Sequence, residues 1–260
     1  MGRTFITGDC HGDYKKFAVK SFPVQRDLTK EDVIIQLGDF GLIWDYRGEN
    51  RQEEYWKKWF EKRPFTTLFI DGENENHERL GLLEETEMFG GKVGKVNDSV
   101  YYLKRGEVYT INGKKFFVFG GGISSDTISG LLDSGDLKFR KTVNKMFLKR
   151  KIWFRVKGET WWKEEQPSPS EMDNGLENLN KNDNTVDYIL THSAPKIGQT
   201  TIDVPSDELE DNRVTQYFDR LYNDVKFDTW FCGHFHIDKA GGRQFRPVYD
   251  NICELDKILF

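Results

Sequence analysis

The sequence is poor in cysteine, in long apolar runs and in net charge, and each shortage argues against a class of protein. Its three cysteines, Cys10, Cys232 and Cys253, are an odd number without paired spacing, which is typical of a reducing cytosol and not of a disulfide framework. No apolar run approaches the roughly 18 residues of a membrane-spanning helix, and RTFIT at residues 3–7 leaves no room for a signal peptide. The net charge of −5 gives no general attraction to nucleic acid or anionic membrane. We therefore expect a soluble cytoplasmic protein that does not bind membranes.

The chain instead has ample material for one large hydrophobic core. Its 260 residues suit a single domain over residues 1–260, and 20 Phe, 10 Tyr and 7 Trp argue against disorder. Short apolar runs bounded by Gly, Asp or Asn predict buried strands, and a helical repeat of aromatics between the second and third runs predicts a helix within residues 49–64. The predicted strands are residues 4–7, 32–37, 66–71, 114–120, 186–191 and 228–232. Strands alternating with helices indicate an α/β fold.

Residues 137–185 differ from the rest in being basic and aromatic up to residue 165 and then helical. Ser168 is the predicted N-cap of a helix with Pro169 at its first position. The segment is either a helical connection that covers one sheet face or a lid whose Lys, Arg and Trp side chains contact a phosphorylated substrate. Three tryptophans could form a stacking surface there, although a core position is the more common place for tryptophan: Trp153, Trp161 and Trp162.

Histidines and aspartates follow the predicted strands in a recurring pattern, in which a Gly often comes directly before the polar residue. GDCHGD ends the first strand with Asp9 and His11, and LGD ends the second with Asp39. Later strands end in THSAP, with His192, and in CGHFHID, with His234 and His236. Open α/β sheets bind ligands at the carboxyl ends of their strands, and mixed carboxylate and imidazole ligands are typical of hydrolytic metal sites. The set predicts a site for two metal ions.

This combination resembles the calcineurin-like metallophosphoesterase family, whose motifs run D-x-H, G-D, G-N-H-E/D, H and G-H-x-H. The GDFG segment and the WWKEE segment are also similar to those of small bacterial and phage phosphoesterases. The resemblance implies a two-sheet β-sandwich flanked by helices, with residues 137–185 as a helical and aromatic insert. It also implies a dinuclear centre in which Asp39 bridges the ions and the other five residues are divided between them. Asp9, His11 and His236 would hold one metal, and His192 and His234 would hold the second.

The third motif of the family has no clean match, and FIDGENENHERL offers two alignments. In the first, Gly72 is the motif glycine, Glu73 replaces the asparagine ligand and Asn74 replaces the histidine that acts on the leaving group. In the second, Asn76 and His77 supply those two residues, three positions later. Each of the other glycine-flanked ligands follows its strand directly, and three residues of extended chain span up to about 10 Å, so we favour Glu73 as the ligand. Asn74 and His77 both stay candidates for the catalytic role.

The predicted reaction is hydrolysis of a phosphoester by a metal-activated water, with Mn²⁺ the favoured metal in vitro and Fe or Zn as alternatives. The substrate is a nucleotide, a nucleic acid or a phosphoprotein, as a monoester or a diester. The segment GDFGLIWDYRG lacks the arginine of the protein phosphatase motif at its usual place, which lowers the case for a phosphoprotein. A weakened or inactive scaffold that binds metal for partner recognition is the alternative, and the altered third motif is its support.

Overall fold

Two large β-sheets pack face to face, with helices on their outer surfaces. The computed structural model describes residues 2–124, 127, 130–150, 154–239 and 244–257. The strands, in chain order, are β1 (Thr4–Thr7), β2 (Val33–Leu37), β3 (Thr66–Ile70), β4 (Glu84–Met88), β5 (Gly91–Asn97), β6 (Val100–Leu103), β7 (Glu107–Ile111), β8 (Lys114–Phe119), β9 (Leu131–Leu132), β10 (Arg155–Val156), β11 (Tyr188–Thr191), β12 (Thr229–Cys232), β13 (Phe245–Pro247) and β14 (Cys253–Glu254). The α-helices are α1 (Arg51–Glu61), α2 (His77–Gly81), α3 (Phe139–Leu148), α4 (Pro169–Asn180), α5 (Lys196–Thr201) and α6 (Arg213–Asp224). Single turns of 3₁₀ helix span Lys15–Phe17, Pro23–Asp27, Lys163–Glu165 and Leu255–Lys257.

Both large sheets have parallel strands at their centres. The first has the order β14-β1-β2-β3-β6-β5-β4, in which β1, β2, β3 and β6 are parallel. The second has the order β13-β12-β11-β8-β7, parallel except for β7. A short parallel pair, β9 and β10, lies apart from them. Because parallel neighbours end at the same edge, the residues that follow β1, β2 and β3 are brought together, as are those after β11 and β12.

Alternate residues of each central strand face opposite layers of apolar packing. Ile35 lies in the core between the sheets together with Leu190 and Phe231 of the second sheet, whereas Ile34 faces outward into a layer that includes Phe60 of α1. A third layer covers the outer face of the second sheet with residues of α4 and α6. The architecture is thus a β-sandwich with helices on both faces, which confirms the predicted fold class.

The predicted elements agree with the observed ones where the sequence is apolar. All six predicted strands are present within two residues of their expected bounds, as is the helix within residues 49–64. Ser168 caps α4 as predicted, accepting from the backbone N–H of Glu171, whose side chain closes a capping box. Trp162 is buried and packs edge-on against Trp44, as a core residue would, while Trp153 lies outside the described residues. No helix in the described part of the chain is long and apolar enough to cross a membrane.

Candidate metal centre

The predicted ligand residues meet where the carboxyl ends of the central strands of both sheets converge. Asp9, Asp39 and Glu73 follow β1, β2 and β3 of the first sheet. His192 follows β11, and His234 and His236 follow β12, of the second sheet. Within the described residues, three overlapping groups of side chains have ligand atoms within 4.8 Å of one another: Asp9 with His11 and His236, Glu73 with His192 and His234, and Asp9 with Asp39 and His192.

The first group is built on the buried carboxylate of Asp9. Its Oδ2 lies 3.1 Å from Nε2 of His236 and 3.6 Å from Nε2 of His11, and the two imidazole nitrogens are 3.0 Å apart. Its Oδ1 accepts the backbone N–H of His234 at 2.8 Å, which ties the end of β1 to the end of β12. One carboxylate oxygen and two imidazole nitrogens therefore point at a common position.

The second group joins Glu73 to two histidines. His234 Nδ1 is 3.5 Å from a carboxylate oxygen of Glu73. His192 donates from Nδ1 to the carbonyl of Leu37 at 2.8 Å, so its Nε2 carries the lone pair that faces the cluster. That Nε2 and the Oε1 of Glu73 are buried and have no hydrogen-bond partner. Buried polar atoms are normally satisfied, so these two atoms are where a ligand is needed.

Asp39 stands between the two groups. Its Oδ2 is 3.6 Å from Nδ1 of His11, and its Oδ1 is 3.6 Å from Nε2 of His192. Asn74 donates to both oxygens, from its backbone N–H to Oδ1 at 2.7 Å and from its side-chain amide to Oδ2. One carboxylate thus faces a histidine of each group.

The backbone at four of these side chains is left-handed. The φ angles are 48° at His11, 54° at Asp39, 64° at His234 and 51° at His236. Non-glycine residues in this region are uncommon, each costs of the order of 1–3 kcal/mol, and they cluster at functional sites. Gly72 meets a different constraint, since a Cβ there would lie 2.2 Å from Oδ1 of Asp39 and 2.8 Å from Nε2 of His192. Position 72 must therefore be a glycine for the loop after β3 to pass this close to the cluster.

The carboxylates and imidazoles of the cluster shift one another's protonation. Burial alone would raise the pKa of Asp9, but hydrogen bonds from His11 and His236 and the charge of His192 bring it below its usual range. Burial likewise opposes charge on His234, yet Glu73 and Glu210 raise its pKa to about 10. Burial raises the pKa of Glu73. A cation would take the place of the protons that the imidazoles hold, because metal ligation requires the deprotonated donors. The donor set, the unpartnered atoms and the glycine contact all fit divalent metal ions.

The comparisons with known proteins agree with this geometry. A family model described as calcineurin-like phosphoesterase matches residues 2–238. The chain belongs to the calcineurin-like phosphoesterase family. Members are phosphoesterase-type hydrolases and generally use divalent metals. No curated protein matches the sequence.

Two solved structures are similar to this calcineurin-like phosphoesterase over most of its length. Phosphopantetheinyl hydrolase (PptH) from Mycobacterium tuberculosis shares 15% identity, with a TM-score of 0.44 and coverage of 96% of this chain and 90% of that one. A putative 5′-nucleotidase from Staphylococcus aureus, in complex with alpha-ketoglutarate, shares 12% identity, with a TM-score of 0.42 and coverage of 96% and 52%.

The residues that the two alignments of the third motif place in the site lie in different parts of the loop after β3. Glu73 and Asn74 lie in the cluster, and Glu75 is buried beneath it, where it accepts the backbone N–H of Phe40 at 2.7 Å. Asn76 is the N-cap of α2 and accepts the backbone N–H of Arg79 at 3.0 Å.

His77 begins α2 and lies apart from the three candidate metal groups. It is buried, with Nδ1 3.6 Å from Asp71, and burial lowers its pKa to about 4. It lines a cavity of about 880 Å³ together with Tyr102 and Arg105, and none of the candidate ligands is among the described residues that line this cavity.

Glu210 contacts the candidate centre of this calcineurin-like phosphoesterase, although the sequence analysis did not identify it. Its Oε1 accepts from Nε2 of His234 at 2.7 Å and its Oε2 accepts from the hydroxyl of Ser193, which follows His192, also at 2.7 Å. Holding the proton on Nε2 leaves Nδ1 of His234 free to face the cluster. No motif marks the acidic segment 207–211, so the sequence offered no signal for it.

We expect Glu210→Gln to weaken metal affinity about 10- to 100-fold, as removal of a carboxylate that orients a ligating histidine does. The measurement is a metal titration by calorimetry. Glu208→Gln is the matched control, since Glu208 is exposed on the same segment. Equal affinity in Glu210→Gln and the control would contradict the orienting role.

Proposed function

We propose that this chain hydrolyses phosphoesters with a dinuclear metal centre. In this proposal Asp9, His11 and His236 hold one metal, Glu73, His192 and His234 hold the second, and Asp39 bridges them. The observation that carries it is the overlap of the three candidate groups, in which Asp9 and His192 each belong to two. Two divalent ions held there would bind phosphoryl oxygens and lower the pKa of an attacking water.

Hydrogen bonds from neighbouring residues hold the loops that carry Asp9, His11 and Asp39 in place. The ammonium of Lys16 donates to the carbonyls of Gly8, Asp9 and Tyr249, which fixes the loop after β1. The backbone N–H groups of Cys10 and His11 donate to the carbonyl of Asp39 at 3.0 and 2.8 Å. Ligands held by such contacts are already oriented before metal enters, which lowers the reorganisation needed for catalysis.

For the third motif we propose that Glu73 is the metal ligand and that Asn74 orients Asp39 at the edge of the substrate cleft. The amide of Asn74 has no proton to transfer at neutral pH, so it is not a general acid. His77 faces Asp71, and we assign it a structural role beneath the loop. The unpartnered Oε1 of Glu73 and the capping contact of Asn76 support this alignment.

Glu73→Ala is expected to weaken metal binding at least about 100-fold, because it removes a ligand and not only its support. Asn76→Ala removes the N-cap of α2 and is expected to lower stability by about 1 kcal/mol while leaving metal affinity within a fewfold of wild type. Metal titrations and thermal melts of both variants make the comparison. A larger loss of metal affinity in Asn76→Ala would instead support the alignment on Asn76 and His77.

A cleft of about 470 Å³ beside the centre supports a small substrate. His11 and Asn74 are part of its lining, and among the described residues that lining carries three carboxylates, of Asp45, Glu53 and Glu159, against the single guanidinium of Arg47. Four aromatic residues also line it: Tyr14, Trp44, Tyr46 and Trp56. Binding of a nucleic acid backbone needs several cations, whereas aromatic walls with a few polar groups suit a planar leaving group. We infer that a nucleotide fits this cleft better than a nucleic acid or a phosphoprotein.

The test of the proposed function is metal content together with turnover by the metal-loaded protein. We expect two divalent ions per chain and hydrolysis of p-nitrophenyl phosphate or its bis ester, with Mn²⁺ as the first metal to try and Fe or Zn next. A panel of nucleoside monophosphate, phosphoserine peptide and single-stranded DNA then ranks the substrate classes. Two bound metals without turnover of any of them would favour the binding scaffold. A cytoplasmic location and a single domain over residues 1–260 belong to the same proposal.

A further inference from the structure

Arg155 lies in the insert, residues 137–185, and contacts Asn74 beside the candidate centre although the two residues are distant in sequence. It lies in β10 and is buried, although arginine is rarely buried unless paired. Its Nη2 donates to Oδ1 of Asn74 at 2.9 Å, across 81 residues of sequence, and its Nη1 donates to the carbonyl of Thr160 at 2.8 Å. Asn74 and Thr160 both line the cleft beside the centre, so the guanidinium lies directly behind two of its wall residues.

The contact with Arg155 determines which way the amide of Asn74 faces. An asparagine amide can turn its oxygen or its nitrogen toward a neighbour. Because the guanidinium only donates, it requires the oxygen, and the Nδ2 of Asn74 is left to donate to Oδ2 of Asp39. With the backbone N–H of Asn74 on Oδ1, both oxygens of Asp39 are held by one residue that Arg155 orients. A chain of hydrogen bonds therefore runs from the insert to the carboxylate between the two metal groups.

The charge of Arg155 also matters, because the centre is rich in carboxylates. Asp9, Asp39 and Glu73 lie in the candidate groups, Glu75 is buried beneath them, and the partly buried Glu210 contacts His234. In the proposed alignment Glu73 takes the place of the neutral asparagine of the family motif, which adds one negative charge to a site proposed to bind a phosphate anion. An arginine is always charged, and a buried charge acts over several ångströms with little screening.

We propose that Arg155 is a positioning residue of the active site: it orients Asn74 against Asp39 and places a positive charge behind the wall of the cleft. The insert therefore completes the site in addition to covering the fold. This inference rests on the proposed phosphoesterase function. It accounts for the asparagine at position 74, whose neutral amide can accept from Arg155 and donate to Asp39 at the same time.

The test compares Arg155→Gln and Arg155→Lys with Arg140→Gln, an exposed arginine of α3 in the same insert. Metal content, kcat, KM for p-nitrophenyl phosphate and the inhibition constant of inorganic phosphate are measured at saturating metal. In Arg155→Gln we expect KM and the phosphate inhibition constant to rise at least tenfold with two metals still bound. Arg155→Lys keeps the charge without the planar guanidinium, so we expect phosphate inhibition within about threefold of wild type and a kcat lowered about tenfold. Arg140→Gln should match wild type.

A double variant separates action through Asn74 from mere structural support. If Arg155 acts by orienting Asn74, adding Arg155→Gln to Asn74→Ala should lower kcat by no more than about threefold beyond Asn74→Ala alone, because the residue that Arg155 orients is then already missing. A kcat in the double variant lowered by the full product of the two single losses, or phosphate inhibition unchanged in Arg155→Gln, would overturn the proposal. If Arg155→Gln does not fold, the test rests on Arg155→Lys. Phosphate inhibition that is tenfold weaker in Arg155→Lys than in wild type would then contradict the proposal. Wild type that binds metal but turns over no phosphoester would refute the proposed function itself, which is a separate result.

Discussion

Asp39→Asn is expected to lower kcat for p-nitrophenyl phosphate by roughly 1,000-fold. The carboxylate faces His11 and His192, one from each candidate metal group, and both of its oxygens accept hydrogen bonds from Asn74. An amide in its place has the same shape but offers one neutral oxygen, so it cannot bridge two cations. Losing about 4 kcal/mol of metal-based stabilisation of the transition state corresponds to that factor. The measurement is kcat with bound metal determined in the same samples.

Asp32→Asn is the matched control for this variant. Asp32 lies at the other end of the same strand, just before β2, where it accepts the backbone N–H groups of Arg3 and Thr29 at 2.7 and 2.6 Å. The substitution has the same chemistry and a buried setting but lies far from the candidate ligands along β2. We expect it to lower stability and to leave kcat near that of wild type. Turnover that survives in Asp39→Asn at the wild-type rate would rule out a bridging role for that carboxylate.

Arg105→Met is expected to lower the free energy of unfolding by about 3–5 kcal/mol, the usual cost of leaving one partner of a buried ion pair alone. Arg105 donates from Nε to Asp71 at 3.0 Å and from Nη2 to the carbonyl of Glu164 at 2.8 Å, and Asp71 is fully buried. Burial would raise the pKa of Asp71, but the charge of Arg105 and the hydrogen bonds from Arg105 and Tyr102 hold it below its usual value. The pair is therefore stabilising at neutral pH, and this contribution is lost as the pH falls through that lowered pKa. Urea unfolding at pH 7 measures the effect.

Arg220→Met provides the comparison for a solvent-exposed pair. Arg220 lies 3.3 Å from Asp224 on α6, and both side chains are more than half exposed. Such pairs contribute at most about 1 kcal/mol, so we expect a shift of that size or smaller. A loss for Arg105→Met no larger than for Arg220→Met would mean that water or another group satisfies Asp71 when the guanidinium is gone.

The apolar strands and their polar ends were predictable because both leave a local signal. β1 matches its predicted bounds, and Asp9 and His11 follow it as the spacing indicated. β4 was not predicted, since EETEM is polar and largely exposed and lies at the edge of its sheet. Edge strands with charged residues lack the apolar run that reveals a central strand.

Residues that act through distant contacts left no signal in the sequence. Glu210 reaches His234 across 24 residues and Arg155 reaches Asn74 across 81, and neither lies in a recognisable motif. The choice between the two alignments of FIDGENENHERL also depends on where the loop turns into α2, and the sequence did not show that Asn76 is the N-cap of that helix. Local spacing identified the set of candidate ligands, whereas their supporting contacts required the tertiary structure.

The division of the candidate ligands between the two sheets has a consequence for when the protein can take up metal. Asp9 and His236 are 227 residues apart, and the contact between them closes a loop that contains most of the chain. A chain that had formed only the first sheet would hold Asp9, Asp39 and Glu73 without any imidazole of the second. Ions that bound those carboxylates early would lack the imidazoles of His192, His234 and His236. Metal uptake is therefore expected to follow completion of the fold, and a bound ion would in turn resist separation of the two sheets.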